Sequence, residues 1–194
     1  MRRRTLVLAG ASLLAMPIPP RKSLAQQRDN PMPEDLRQSL ERDPTAPVLG
    51  NPQGDITLTE FFDYNCPFCR KMVEPMHRLI ASDKDLRVVF REWPVFGEDS
   101  DFAARASLAS LQQGKYWQMH VALFRIPGRV TAGATMRVAR ELGLDGPRLE
   151  RDMGAEHMGL MGTPSFIAGD EGAFGQYSLE DLRGMVRRAR ETMG

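Results

Sequence analysis

DITLTEFFDYNCPFC, residues 55–69, changes its pattern halfway along. From Asp55 to Tyr64 it is rich in β-branched and aromatic residues and stops at Asn65-Cys66-Pro67, which predicts a strand. Pro67 suits the first position of a helix, where its missing N–H is not needed. Arg70 to Ser82 then continues with Met72, Met76, Leu79 and Ile80 along one side. A strand therefore hands the chain to a helix at the two cysteines, with Pro75 placed to kink that helix.

Downstream, Leu86 to Trp93 reads as a second strand closed by Pro94, and Val95 to Ser100 as a loop with Ser100 or Asp101 as helix N-cap. Helical patterns follow at Phe102–Gln113, Tyr116–Phe124, Ala132–Leu142 and Pro147–Met153, with Gly114 and Gly143 as stops. Strand character returns at Ser165–Ala168 and Ala173–Phe174 around the turn Gly169–Gly172, and Ser178 opens a last helix. The order βαβ, helices, ββα describes an α/β fold on the thioredoxin plan, with an inserted helical domain over about 98–158. Upstream, Gln26 to Gly50 is polar and broken by Pro31, Pro33, Pro44 and Pro47, with one short helix at Glu34–Arg42. It reads as a leader, 26–50, to a domain over 51–194.

Residues 1–25 read as an address: a basic start, an apolar stretch from Leu6 to Ile18, and Ser23-Leu24-Ala25 as a cleavage site. The apolar stretch is too short for a bilayer core of ~30 Å, so cleavage before Gln26 is expected rather than anchoring. Arg3-Arg4-Thr5-Leu6-Val7 resembles a twin-arginine export signal, and fits a general secretory start equally well. Either route leads to the periplasm. Arg2, Arg3, Arg4, Arg21 and Lys22 lie in this segment; without them 21 basic face 25 acidic side chains, a formal charge of −4. Such a body offers no counterion-release argument, so no nucleic-acid partner is expected.

Two cysteines one helical turn apart close too small a ring to restrict the unfolded chain much, so a structural disulfide there adds little stability. Redox exchange uses the same spacing better. Cys66 sits at a helix N-terminus, where free N–H groups and the macrodipole favour thiolate; in such motifs a thiol pKa of ~8.5 can fall to ~3.5–7.5. Cys66 is therefore expected to be the exposed attacking thiol, and Cys69 the less exposed one that resolves the mixed disulfide. On the strand, Ile56, Leu58, Glu60 and Phe62 share one face. Glu60 would point inward beneath the thiols, with a raised pKa and the ability to exchange a proton with Cys69. The alternative is an edge strand with Glu60 solvated.

The combination of LTEFFDYNCPFC, REWPVFG, KYWQMHVALF, GLDGPRLERDM and GTPSF resembles the DsbA-like family of periplasmic thioredoxin-fold oxidoreductases, from about Val48 onward. Within that family the copper-sensitivity suppressor ScsC-like branch is the most similar. The resemblance implies Cys66 as nucleophile, Cys69 as resolving thiol and Glu60 as the buried acid. It also implies Thr163-Pro164 as a cis-proline loop that faces the disulfide and receives substrate backbone, beside Pro67 and Phe68. The chain departs from the family pattern twice. Pro67-Phe68 stands where the strongest oxidants have Pro-His, which implies a milder oxidant. Between the GLD helix and Thr163 relatives carry a further helix, whereas this chain has only Met153 to Met161.

The expected partners are unfolded or cysteine-containing exported proteins and a membrane redox partner that recycles the thiols; no cofactor is implied. Oxidase, isomerase and reductase share such a site. Isomerases need sites facing one another in an oligomer, and the short, proline-broken 26–50 segment favours a monomeric oxidase. The competing reading is a copper-binding or chaperone-like protein using the same thiols, since thiolate and thioether ligands select Cu(I) and the chain has twelve Met. Met72, Met76, Met158 and Met161 lie near the site in sequence, but methionines at helical spacing usually fill core gaps. Structural zinc would need four ligands, and only His77, His120 and His157 could join the cysteines, so no metal site is assigned. Phe68, Val95 and Phe96 could line a substrate groove or lie in the core.

Overall fold

The computed structural model describes residues 26–27, 32–154 and 163–193. The expected signal segment 1–25 lies outside them, as do His157, Met158 and Met161. The elements in chain order are β1 (Gln26–Gln27), α1 (Glu34–Glu41), β2 (Val48–Gly50), β3 (Ile56–Phe62), α2 (Pro67–Ser82) and β4 (Leu86–Glu92). The helices α3 (Glu98–Leu111), α4 (Tyr116–Arg125), α5 (Ala132–Glu141) and α6 (Gly146–Asp152) follow, then β5 (Ser165–Ala168), β6 (Glu171–Phe174) and α7 (Leu179–Met193).

One sheet runs β1-β6-β5-β3-β4-β2. β3 and β4 are parallel, and α2 is the crossover between them; β5 and β6 form the antiparallel hairpin on the other side. β3 is thus interior, every one of its residues is buried, and this is why it reads as an almost continuous apolar run. Ile56, Leu58 and Phe62 face the larger core with α2, α7 and the four inserted helices. Phe61 faces a smaller one with Met32, Leu40 and Trp93 under α1. α2 passes through Pro75 as one helix.

The segment expected to be a leader is part of this fold. β2 pairs with β4, β1 pairs with β6, and α1 covers the second face of the sheet. Two arginines of β4 explain the docking. Arg87 donates to Glu41 O, and Arg91 donates to Ser39 O and Leu40 O at 2.7 Å each, so cations meet the carbonyl end of α1, where the macrodipole is negative. Strands of two and three residues are too short to show alternation, which is why composition alone reads this stretch as a leader.

α3 starts earlier than expected. Its N-cap is Gly97, at φ 92, a conformation that costs glycine little, and not Ser100 or Asp101, whose backbone N–H groups donate to Gly97 O. Glu98, Asp99 and Asp101 then occupy the first turn, where negative charge suits the N-terminal dipole. The earlier start carries Ser100 into the helix, where it is 1% exposed.

Candidate active site

β3 ends at Phe62, and the turn Asp63-Tyr64-Asn65 delivers Cys66 to the N-cap of α2. Cys66 N–H donates to Asp63 O at 3.0 Å, and its extended backbone, φ −80 and ψ 117, aims Sγ back over the first turn. There Sγ accepts the Cys69 N–H at 3.4 Å. The two thiols are unbridged in this structure. The antiparallel register of β5 on β3, with Ser165 opposite Phe61, carries the preceding Thr163-Pro164 past the end of β3 and against the cysteines. The Thr163-Pro164 bond is cis, and Thr163 O, to which the protonated Cys66 thiol donates, lies 3.5 Å from Sγ.

This contact corrects the expectation of an exposed nucleophile: Cys66 and Cys69 are each 1% exposed, because the proline loop closes over Cys66. Their electrostatics still differ. A hydrogen bond from the Cys69 thiol, opposed by burial and helped by the Cys69 backbone N–H, lowers Cys66 from the ordinary 9.0 to about 6. Burial, and then the hydrogen bond to Cys66, pushes the Cys69 thiol far up. Near neutral pH the arrangement holds Cys66 as a thiolate and Cys69 as a thiol.

Glu60 lies on the interior strand and is 3% exposed, on the same side as Phe62. Burial alone raises its carboxyl from 4.5 to about 8. A second buried acid was not foreseen. Glu92, at the end of β4, is raised to about 7, again by burial, with Tyr116 and Ser107 opposing. A folded pKa above the unfolded one means that the stability a protonated carboxyl contributes is whole below pH 4.5 and is lost as pH rises toward 8. The slope is about 1.4 kcal/mol per pH unit for one group. Glu60→Gln should therefore flatten the fall of stability between pH 5 and pH 8 relative to the native chain, measured by denaturant unfolding at each pH.

Pro67 and Phe68 lie on the surface beside the thiols. Phe68 is 52% exposed, with Lys71 Nζ 5.7 Å from its ring centre. Val95 and Phe96 are exposed too, so none of the three apolar residues is core. Asp63 ties the Val95-Phe96 backbone to the turn before Cys66: one carboxylate oxygen accepts the N–H groups of Val95 and Phe96 at 2.7 and 3.0 Å, and the other accepts Asn65 N–H at 2.7 Å. Sequence reading passed over Asp63 and Asn65. Their signal was two polar side chains in the turn between a strand end and a helix N-terminus, where side chains often satisfy backbone donors.

Met72 and Met76 are core residues, and Met72 Sδ accepts the Tyr177 N–H at 3.5 Å. His120 is buried among Phe62, Phe90, Trp117 and Phe124, and burial lowers it to about 3, so it is neutral. Among the described residues no group of three or more His, Cys, Asp and Glu could hold a metal ion. No helix among them is long and apolar enough to cross a membrane.

Residues 57–187 match a family model described as the DSBA-like thioredoxin domain. The chain superposes on the thioredoxin-like oxidoreductase from Silicibacter pomeroyi DSS-3 with a TM-score of 0.76 and 46% identity, covering 80% of this chain and 98% of that one. The catalytic domain of Proteus mirabilis ScsC shares the fold, with a TM-score of 0.70 and 20% identity over 81% of this chain and 96% of that one. A curated relative, the Na(+)/H(+) antiporter NhaA 1 of Salinispora arenicola (strain CNS-205), is 26% identical over 158 residues, 73% of this chain and 24% of that protein. The chain thus spans about a quarter of the length of the curated relative it matches.

Proposed function

The chain belongs to the DSBA-like thioredoxin domain family of thiol–disulfide oxidoreductases, and on that premise we propose that it exchanges disulfides with exported, cysteine-containing proteins in the periplasm. The observation that carries the reading is Cys66 Sγ at the N-cap of α2, taking the Cys69 N–H, beside a Cys69 thiol that burial keeps protonated.

In the oxidising direction a substrate thiolate attacks Sγ of Cys66 in the Cys66–Cys69 disulfide. The S–S bond breaks, and Cys69 leaves and takes up a proton, for which Glu60 is the buried source. A second substrate thiolate then attacks the mixed disulfide, forms the substrate's own S–S bond and releases Cys66 as thiolate. The substrate loses two electrons and the cysteine pair gains them; a membrane redox partner takes them away again. Thr163-Pro164 receives the substrate backbone, and Pro67 and Phe68 touch its side chains. A leaving thiolate of low pKa favours this direction. Phe68 offers no hydrogen bond to stabilise it further, so the oxidant is a mild one.

Residues 1–25 act as the export signal, and 26–50 precede the domain and pack onto its sheet, the insertion lying at about 98–158. The unit acts as a monomer. Mixing the oxidised protein with a reduced, unfolded two-cysteine peptide should convert the peptide to its disulfide in equal amount. Stoichiometric Cu(I) binding without any exchange would favour the copper-binding alternative. A trimeric mass in solution would favour an isomerase.

A further inference from the structure

The turn ahead of the nucleophile is fastened to the inserted helices by its side chains. Tyr64 Oη lies 2.6 Å from Ser107 Oγ on α3 and 3.3 Å from His120 Nδ1 on α4. Asn65, directly before Cys66, does something more specific. Its Oδ1 accepts the Val130 N–H at 2.8 Å, while its Nδ2 donates to Val130 O at 3.1 Å and to Ser100 Oγ at 2.9 Å. Both ends of one amide thus bond both backbone groups of one residue, as two antiparallel strands exchange a bonded pair. Val130 is fully buried and Ser100 is 1% exposed, so their polar groups depend on protein partners.

The same loop is held again on the far side of the cysteines. Arg70 donates to Ile126 O at 2.6 Å and Gly128 O at 3.0 Å. The segment between α4 and α5 is therefore tied to the residue before Cys66 and to the residue after Cys69. The thiolate is stabilised while Sγ stays within reach of the Cys69 thiol and its backbone N–H, and that depends on the backbone angles between Asn65 and Cys66.

We propose that Asn65 is a positioning residue for disulfide exchange: its amide clasps Val130 and Ser100 of the helical insertion, so that the seating of the insertion sets the backbone that aims Cys66 Sγ along α2. The proposal rests on the redox reading of the two thiols. It also gives a function to the early start of α3, which turns Ser100 into a buried partner of Asn65 rather than a cap.

The test compares Asn65→Ala, Ser100→Ala and Arg190→Ala with the native chain. Arg190 pairs with Asp55 and Asp83 on the side of α7, and its loss is a stability change away from the site. For each reduced protein, iodoacetamide alkylation of Cys66 is followed from pH 4 to 9, with the rate of attack on a small disulfide and the melting temperature. Asn65→Ala should raise the Cys66 titration midpoint by about one unit and slow attack at pH 5 about tenfold. Ser100→Ala removes one of the three bonds and should slow it about twofold to threefold in the same direction. Arg190→Ala should lower the melting temperature and leave the midpoint unmoved. A folded Asn65→Ala protein with the native midpoint and rate overturns the proposal. Should that variant not fold, a native midpoint and rate in Ser100→Ala overturn it instead. A native chain that exchanges no disulfide overturns the redox reading, and the clasp with it.

Discussion

Replacing Cys66 by Ser will abolish disulfide exchange, and replacing Cys69 by Ser will leave a protein that attacks but does not let go. Of the two thiols only Cys66 is held as a thiolate near neutral pH, by the Cys69 thiol and backbone N–H. A serine hydroxyl there is far too weak an acid to replace it, so turnover should fall by about three orders of magnitude or more. The Cys69→Ser protein keeps the nucleophile but loses the sulfur that resolves the mixed disulfide. It should accumulate covalent adducts with substrate, visible as mass increases that a reductant reverses. Cys66→Ser should give none. The asymmetry distinguishes a redox centre from a pair of metal-ligating thiols, in which the two substitutions would act alike.

Phe62→Ala should cost about 3–5 kcal/mol, the range for emptying an aromatic site in a core. Phe62 is fully buried at the end of β3. Its ring meets Tyr64 at 5.2 Å, Phe90 at 6.1 Å, His120 at 4.9 Å and Phe124 at 5.8 Å, the first three edge to face. It therefore joins the central strand, its neighbour β4 and the inserted helix α4 at one point. In a chain of this size such a loss should lower the melting temperature by about 10 °C. Phe68→Ala, on a ring that is 52% exposed, should leave it nearly unchanged.

The central elements were legible because each has a strong local signature. β3 is a β-branched and aromatic run, and α2 begins with Cys66-Pro67 and repeats its apolar residues at helical spacing. Glu60 was legible from parity, given that β3 is interior. What escaped were features that arise from contact between distant segments. β2 exists because β4 offers it an edge, and α1 docks because Arg87 and Arg91 reach its last carbonyls from β4. Cys66 is buried because the Thr163-Pro164 loop, 97 positions away, covers it. Glu92 looked like an ordinary acid near a strand end; it is 6% exposed only because the folded chain packs over that end of β4, and this burial is what raises its carboxyl. Asn65 had no periodicity to betray it, since its partners come from α3 and from the loop before α5.

The most direct test of the redox assignment is the titration of Cys66 in the reduced protein, read from the pH dependence of its alkylation with Cys69 replaced by Ala in a parallel sample. In the native chain the midpoint should lie near 6. In the Cys69→Ala sample it should be higher, because the thiol that donates to Cys66 Sγ is gone. A native midpoint near ~8.5, that of an unperturbed cysteine, would contradict the assignment of Cys66 as the attacking thiolate.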